Sequence, residues 1–513
     1  MKTFYFLMAE HQRKSGAVLS FIMIGATNII GLCYTPYLLR VLGQNEYGLY
    51  SLASSVIAYL TIMDLGLGNT IVRFSSKYQA EGRHQRLPNM YGMIFMIYLV
   101  ISIVTCVIGY ILYTQIDYAY AENLSPLELK KVKVMMLIMI LNISFSFPLS
   151  IFTSIITAYE KFIFLKSIHV LRIILNTLVM ILVLEMGYKS IAMVCVMTFM
   201  NFSMLMSHLV YAFKKLKIKI NLFNFDKELL KKLGGFSFYL FIGALIDRFF
   251  WSSGQVILGI KSGTAAIAIF AVGIQLNQIY MGLSTSISSV LLPKVTKIVT
   301  DQKSNKTISD LFIKIGRIQF AILSFILSGF IVFGYDFIVL WAGEVYTQTY
   351  YIVLAFFIPL IIPLAQNTGI LILQARNQMK FRAILYLCIA LLCVTIQTFI
   401  AEVYGPIGCA LVIGSSILFG HCLIMNIYYH TTQKINIPQF WSEIGKIALL
   451  PAFFTLICSR TLRFIEISSF ISLFICIIIY TITYLTTLYI IVLNTSEKEL
   501  VMYPFKRFLR NNN

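Results

Sequence analysis

Lys166, His169, Arg172 and Asn176 follow one another at spacings of three, three and four within an apolar stretch. On a helix, residues three and four apart share a face, so the set makes one polar stripe about three turns long. Two of its members are fixed cations and one is an imidazole. That chemistry suits an anion: a guanidinium grips a phosphate through a planar two-pronged fork and stays charged at any physiological pH. The alternative is a structural ion pair with a neighbouring helix. Ionisable groups cost ~2.5 kcal/mol or more near the middle of a bilayer. A stripe of this kind therefore faces protein or water, not lipid.

Two further groupings carry charge into apolar surroundings. Asp247 and Arg248 are adjacent, so on a helix they point ~100° apart and take separate partners. Arg248 shares a face with Ser252 and Gln255, and Asp247 lies on the flank of Trp251 and Gly254. Arg248 reads as a second contact to the same anion, and Asp247 as the candidate for coupling to Na+ or H+. An inter-helix pair is the alternative. Asp64 opens the run Asp-Leu-Gly-Leu-Gly (64–68), where two glycines after an acid signal a helix break. Arg73 and Lys77 follow on an amphipathic stretch. Asp64 with Arg73 reads as a gating ion pair, or Asp64 as a helix cap. Asn28 and Gln275 join Thr35, Asn142, Gln278, Gln366 and Asn367 as polar residues that line a hydrophilic path or bind helix to helix.

Catalytic constellations are missing. No phosphate-cradling glycine loop and no HExxH pair occurs, so neither nucleotide hydrolysis nor zinc hydrolysis is expected. His169, His208 and His421 fall on different apolar stretches and read as isolated. The nine cysteines form no metal-ligand spacing and read as small packing residues. No cofactor and no metal is expected, and the chain does not read as an enzyme. The only acidic cluster on an outer loop that would serve one is Asp117, Glu122 and Glu128.

The elements that must position these residues dominate the chain. It has 513 residues, 59% hydrophobic and only 12% charged. About fourteen stretches are each long enough to cross the ~30 Å of bilayer hydrocarbon. The expected fold class is an all-α polytopic membrane protein with no room for a soluble domain. The net charge of +20 reads as basic loops facing the cytoplasm and anionic lipid. Nucleic-acid binding is not expected, since no aromatic-basic platform appears. With the N-terminus inside, inner loops carry about thirty Lys and Arg and outer loops about eight. An even number of spans returns the C-terminus to the cytoplasm. The first residues do not read as a cleavable signal, because the apolar run Phe4 to Ala9 is short and His11 to Lys14 ends it. Met8 is a candidate start.

The organisation reads as a six-helix lobe over 1–213, a basic linker over 214–233, a second six-helix lobe over 234–430, an accessory helix pair over 431–493 and a basic tail over 494–513. Arg172 then falls in the first half and Arg248 in the second. A weak internal echo relates Gly43–Ser51 to Gly263–Ala271, each a Gly turn before an apolar-aromatic helix start.

Several segments resemble a known family. Pro36-Tyr-Leu-Leu-Arg-Val-Leu-Gly-Gln-Asn-Glu-Tyr-Gly-Leu-Tyr50 followed by Asp64-Leu-Gly-Leu-Gly and Arg73 is similar to bacterial O-antigen or capsule repeat-unit flippases of the multidrug/oligosaccharidyl-lipid/polysaccharide exporter superfamily. Gln255-Val-Ile-Leu-Gly259, Leu292-Pro-Lys294, Gly316-Arg-Ile-Gln319, Leu340-Trp-Ala-Gly343 and Gln374-Ala-Arg376 extend the resemblance along the chain. It implies two six-helix lobes around a central cavity plus two accessory helices. It implies transfer of undecaprenyl-pyrophosphate-linked oligosaccharide to the outer leaflet of a bacterial plasma membrane by alternating access. The implied partners are the lipid-linked oligosaccharide, membrane lipids, a polysaccharide polymerase and a chain-length regulator. One departure stands out: the family often places an acid where this chain reads Ser-Ser-Gly-Gln (252–255).

Overall fold

The computed structural model describes residues 2–222, 241–301, 304–461, 467–495 and 497–499. Most of the expected linker, the start of the expected seventh span and the tail from residue 500 onward lie outside the described residues. Among the described residues the chain is helical and contains no strand. The long helices are α1 (Lys2–Leu60), α2 (Leu67–Ala80), α3 (Leu87–Tyr120), α4 (Pro126–Ala158), α5 (Phe162–Glu185) and α6 (Ser190–Lys214). Residues 241–251 are helical. They are followed by α7 (Ser253–Lys261), α8 (Gly263–Thr300), α9 (Asn305–Ala342), α10 (Gln348–Ala365) and α11 (Asn367–Ala375). The chain continues through α12 (Lys380–Ile417), α13 (Asn426–Thr431), α14 (Ile437–Thr461) and α15 (Phe470–Thr487).

Eleven continuous helical runs among the described residues are long and apolar enough to cross a membrane. That is fewer than the fourteen expected, and part of the difference is continuity. The run Val18–Ala80 has 63 residues; at ~1.5 Å per residue it would extend ~95 Å, far beyond one bilayer. Gly43 breaks it with φ 76° and ψ 168°, a conformation that glycine adopts without a Cβ penalty. Gly405 does the same inside the 52-residue run Lys380–Thr431, with φ 55° and ψ −143°. The break expected at Asp64-Leu-Gly-Leu-Gly is present: Leu65 and Gly66 both take left-handed φ, at 52° and 68°.

The chain divides into two compact units, one of Met1–Ala271 with Gln397–Gly405 and one of Val272–Ile396 with Pro406–Asn513. In the first, α4 is the central helix and packs on α1, α2, α3 and α6. It begins at a capping box in which Ser125 and Glu128 satisfy each other's backbone N–H, with Pro126 entering the first turn. Its apolar side meets Ile71, Met90 and Ile94 through Ile151, Phe152 and Ile155, all at most 2% exposed. In the second unit, α9 is central and packs on α10, α14 and α15.

Candidate functional site

The stripe on α5 lies in a run that can span a membrane, and Lys166, His169, Arg172 and Asn176 are all half-buried. Neither Lys166 nor Arg172 makes an ion pair or hydrogen bond with any described residue. Among the described residues, the alternative of a structural ion pair with a neighbouring helix finds no partner. What does approach is another imidazole. The ring of His208, on α6, lies 6.0 Å from that of His169, centroid to centroid. His208 Nδ1 is 2.8 Å from Thr153 Oγ1 on α4, and its Nε2 is buried without a protein partner. The two histidines thus form one group with Arg172, not the isolated residues that their positions on separate helices suggested. Phe164 packs edge-on to His208 and stacks on Tyr211 at 3.9 Å, closing one side of the group.

Asp64 sits in the 3-10 turn Thr61–Asp64 and accepts a 2.9 Å hydrogen bond from the Tyr98 hydroxyl. Arg73 lies exposed on α2. The structure joins Asp64 to Tyr98, on α3, and does not pair it with Arg73. Arg248 is half-buried beside Phe249, whose ring is 6.1 Å from Tyr59. Asp247 is exposed. Residues 241–251 group with the first unit, so Arg172 and Arg248 belong to the same compact body. Asn28 is half-buried on α1. Gln275 is half-buried on α8 within the second unit.

Sequence reasoning missed a polar junction in the first unit. Glu46, only 7% exposed, pairs with Lys131 on α4 and accepts a 2.5 Å hydrogen bond from Ser190, the first residue of α6. One carboxylate thus ties three helices. The neighbouring residues reach α7 and α8. Asn45 Oδ1 is 3.1 Å from Thr264 Oγ1, Gln44 donates to the Ala265 carbonyl at 3.5 Å, and Ser55 donates to Gln255. Asn123 donates to the Ile260 carbonyl at 2.5 Å. The two segments of the internal echo therefore touch each other, and the glycines that open them, Gly43 and Gly263, share a positive φ of 76° and 79°. A signal was present in the echo itself, but it carried no indication that the two copies meet.

This geometry can hold an anion at fixed cations inside a membrane helix. It offers no cluster of three or more metal-ligating side chains among the described residues. The nine cysteines are unbridged.

Comparison with known proteins agrees on family and fold. The model of the family described as polysaccharide biosynthesis protein matches residues 14–299. A search of curated proteins returned no match. Among solved structures, the lipid II flippase MurJ in an inward closed conformation superposes with a TM-score of 0.70 at 17% identity, over 92% of this chain and 97% of that one. An inward-facing multidrug resistance MATE family transporter of the MOP superfamily gives 0.60 at 12% identity, over 80% and 96%. The MATE transporter VcmN of Vibrio cholerae gives 0.55 at 12% identity, over 83% and 99%. The fold is that of these transporters, and the chain is a multi-pass membrane protein. With more than half of its length matched by the family model, the chain belongs to the polysaccharide biosynthesis protein family.

Proposed function

We propose that this protein is a flippase for lipid-linked oligosaccharide in surface polysaccharide biosynthesis. It carries undecaprenyl-pyrophosphate-linked repeat units from the cytoplasmic to the outer leaflet of a bacterial plasma membrane, with both termini cytoplasmic. The observation that carries the reading is the α5 stripe. Arg172 and Lys166 sit in a membrane-spanning run with no counter-charge from a described residue. Cations so placed are costly unless an anion joins them, and a pyrophosphate supplies one. Arg172 and Arg248 grip the pyrophosphate with Lys166, while His169 and Asn176 donate hydrogen bonds and Asn28 contributes to the polar lining; Gln275 contributes polar lining within the second unit. Asp64 with Arg73 gates the inner side once released from Tyr98, and Asp247 is the position for ion coupling. No chemical step is involved, so the protein acts as a transporter and not as an enzyme. Family membership and the fold shared with the lipid II flippase support the reading.

The test is Arg172→Ala in cells that make the polymer, at unchanged protein level. Transport should fall at least tenfold, with intact lipid-linked units trapped on the cytoplasmic leaflet and surface polymer lost. Units that still reach the outer leaflet would sink the proposal. A second reading, export of another substrate, is favoured by the fold shared with multidrug transporters. It predicts normal polymer and heightened drug sensitivity on gene deletion.

A further inference from the structure

In the second unit, the helical run Lys380–Thr431 contains a π-helical segment, Leu418–Met425. Such widened turns recur at functional sites because the shifted register turns side chains inward and leaves carbonyls to be satisfied elsewhere. Asn426 takes up that task here: its Nδ2 donates to the carbonyls of His421 at 3.1 Å and Cys422 at 2.9 Å. Its Oδ1 accepts from Gln366 Nε2 at 2.8 Å, across the break between α10 and α11. His421 Nδ1 lies 2.5 Å from the Tyr386 hydroxyl, and the Arg382 guanidinium lies over the Tyr386 ring at 4.8 Å. The rings of His421 and Tyr429 are 6.3 Å apart, and Gly369 leaves space for the Tyr429 hydroxyl, where a Cβ would stand 2.7 Å away.

Five polar atoms on these helices are buried without a protein partner: Arg382 Nε, His421 Nε2, Tyr429 Oη, Gln366 Oε1 and, next to Gly369 in the chain, Thr368 Oγ1. His421, Tyr429, Thr368 and Gln366 are each at most 1% exposed. Roughly 90% or more of buried polar groups in folded proteins are paired, with protein or ordered water, so a group of orphans calls for a partner from outside the chain. Its identity follows from the atoms. Arg382 Nε–H and the two hydroxyls are donors. When the Tyr386 hydroxyl donates to Nδ1, His421 Nε2 carries a proton and is a fourth donor. Gln366 Oε1 can only accept, and each hydroxyl can accept as well as donate. Arg382 makes no ion pair with a described residue. One positive charge, four donors and no carboxylate describe a receptor for an anion.

We infer that Arg382, His421, Tyr429 and Thr368 form a binding site for a small anion, a halide or a phosphate-type oxyanion, within the second unit. The site is independent of the α5 stripe and of the transport proposal. Occupancy neutralises Arg382 and locks α11, α12 and α13 together through the π-helical turn. The anion comes either from solution or from a lipid phosphate.

The test uses the purified full-length protein in nanodiscs of phosphatidylcholine alone, unfolded thermally at constant ionic strength in sodium gluconate, chloride or phosphate. Chloride or phosphate should raise the midpoint by about 2–4 °C over gluconate, saturably. Arg382→Gln and Tyr429→Phe should each abolish that increment, whereas Lys434→Gln, an exposed cation outside the cluster, should keep it. Tyr429→Phe retains the ring and carries the test should Arg382→Gln fail to fold. An increment seen only after anionic phosphatidylglycerol is added, and lost in the same two variants, assigns the site to a lipid phosphate. Equal midpoints in all salts and both lipid compositions, or an increment that both variants keep, overturns the site and leaves a water-bonded polar network.

Discussion

Glu46 shows what a single side chain does in this molecule. It is nearly buried and bound by Lys131 and Ser190, so removing one partner leaves charge without compensation. Lys131→Ala should therefore destabilise the first unit by about 3 kcal/mol, and the double change with Glu46→Gln should restore much of the loss. Thermal unfolding in detergent measures both. A single-mutant loss below about 1 kcal/mol would mean that water already screens the pair. The sequence displayed Glu46 inside a motif but gave no means of pairing it, because its partners are 85 and 144 residues away. Arg172 was legible for the opposite reason. An arginine in an apolar run is costly wherever the chain goes, so its type and place make it a candidate, and its binding role is the proposal above. His208 illustrates the limit: its neighbour His169 lies on another helix, and spacing along one helix says nothing about packing between two.

At the scale of the element, glycine and proline punctuation set the helix breaks. The left-handed residues at Leu65, Gly66 and Gly43 were signalled by glycine, and Gly405, with its own positive φ, directly precedes Pro406. The π-helical turn left no mark in the hydropathy pattern, which runs unbroken through Leu418–Met425. Two predictions belong here. Ser125→Ala removes the oxygen that accepts from the Glu128 amide and should cost about 1 kcal/mol, leaving the topology intact. Gly48 packs directly on the Thr264 backbone, and a Cβ there would overlap the Thr264 carbonyl. Gly48→Ala should force α1 and α8 apart at this point, costing about 2 kcal/mol or more. Cysteines at Asn45 and Thr264 should then cross-link more slowly than in the parent. An unchanged rate would place the contact elsewhere.

Across the described residues, the density and length of apolar stretches sufficed for the class: helical and membrane-spanning. The fold followed from the resemblance. The fourteen expected spans are not the same count as the eleven continuous runs among the described residues, because Val18–Ala80 and Lys380–Thr431 each continue through a glycine break. The C-terminal helices depend on one residue that composition could not single out. Arg317, 6% exposed on α9, bonds Glu497 through Nε at 2.7 Å and Nη2 at 3.1 Å, and Glu443 on α14 through Nη1 at 2.6 Å. Arg317→Ala leaves Glu497 buried and uncompensated, a loss of about 3–5 kcal/mol. Limited proteolysis should then cut the region after α15 first, while fragments of the first unit persist. Uniform digestion would mean that the clamp is not what fastens the C-terminal helices.

That clamp also sets an order of events in time. Arg317 leaves the ribosome 126 residues before Glu443 and 180 before Glu497. At roughly 5–20 residues per second, the arginine waits for about 10–35 s before both its carboxylates exist. During synthesis α9 enters the membrane with a charge that nothing yet answers. A nascent chain halted before Glu443 should look like damaged goods to membrane quality control, and one completed past Glu497 should not.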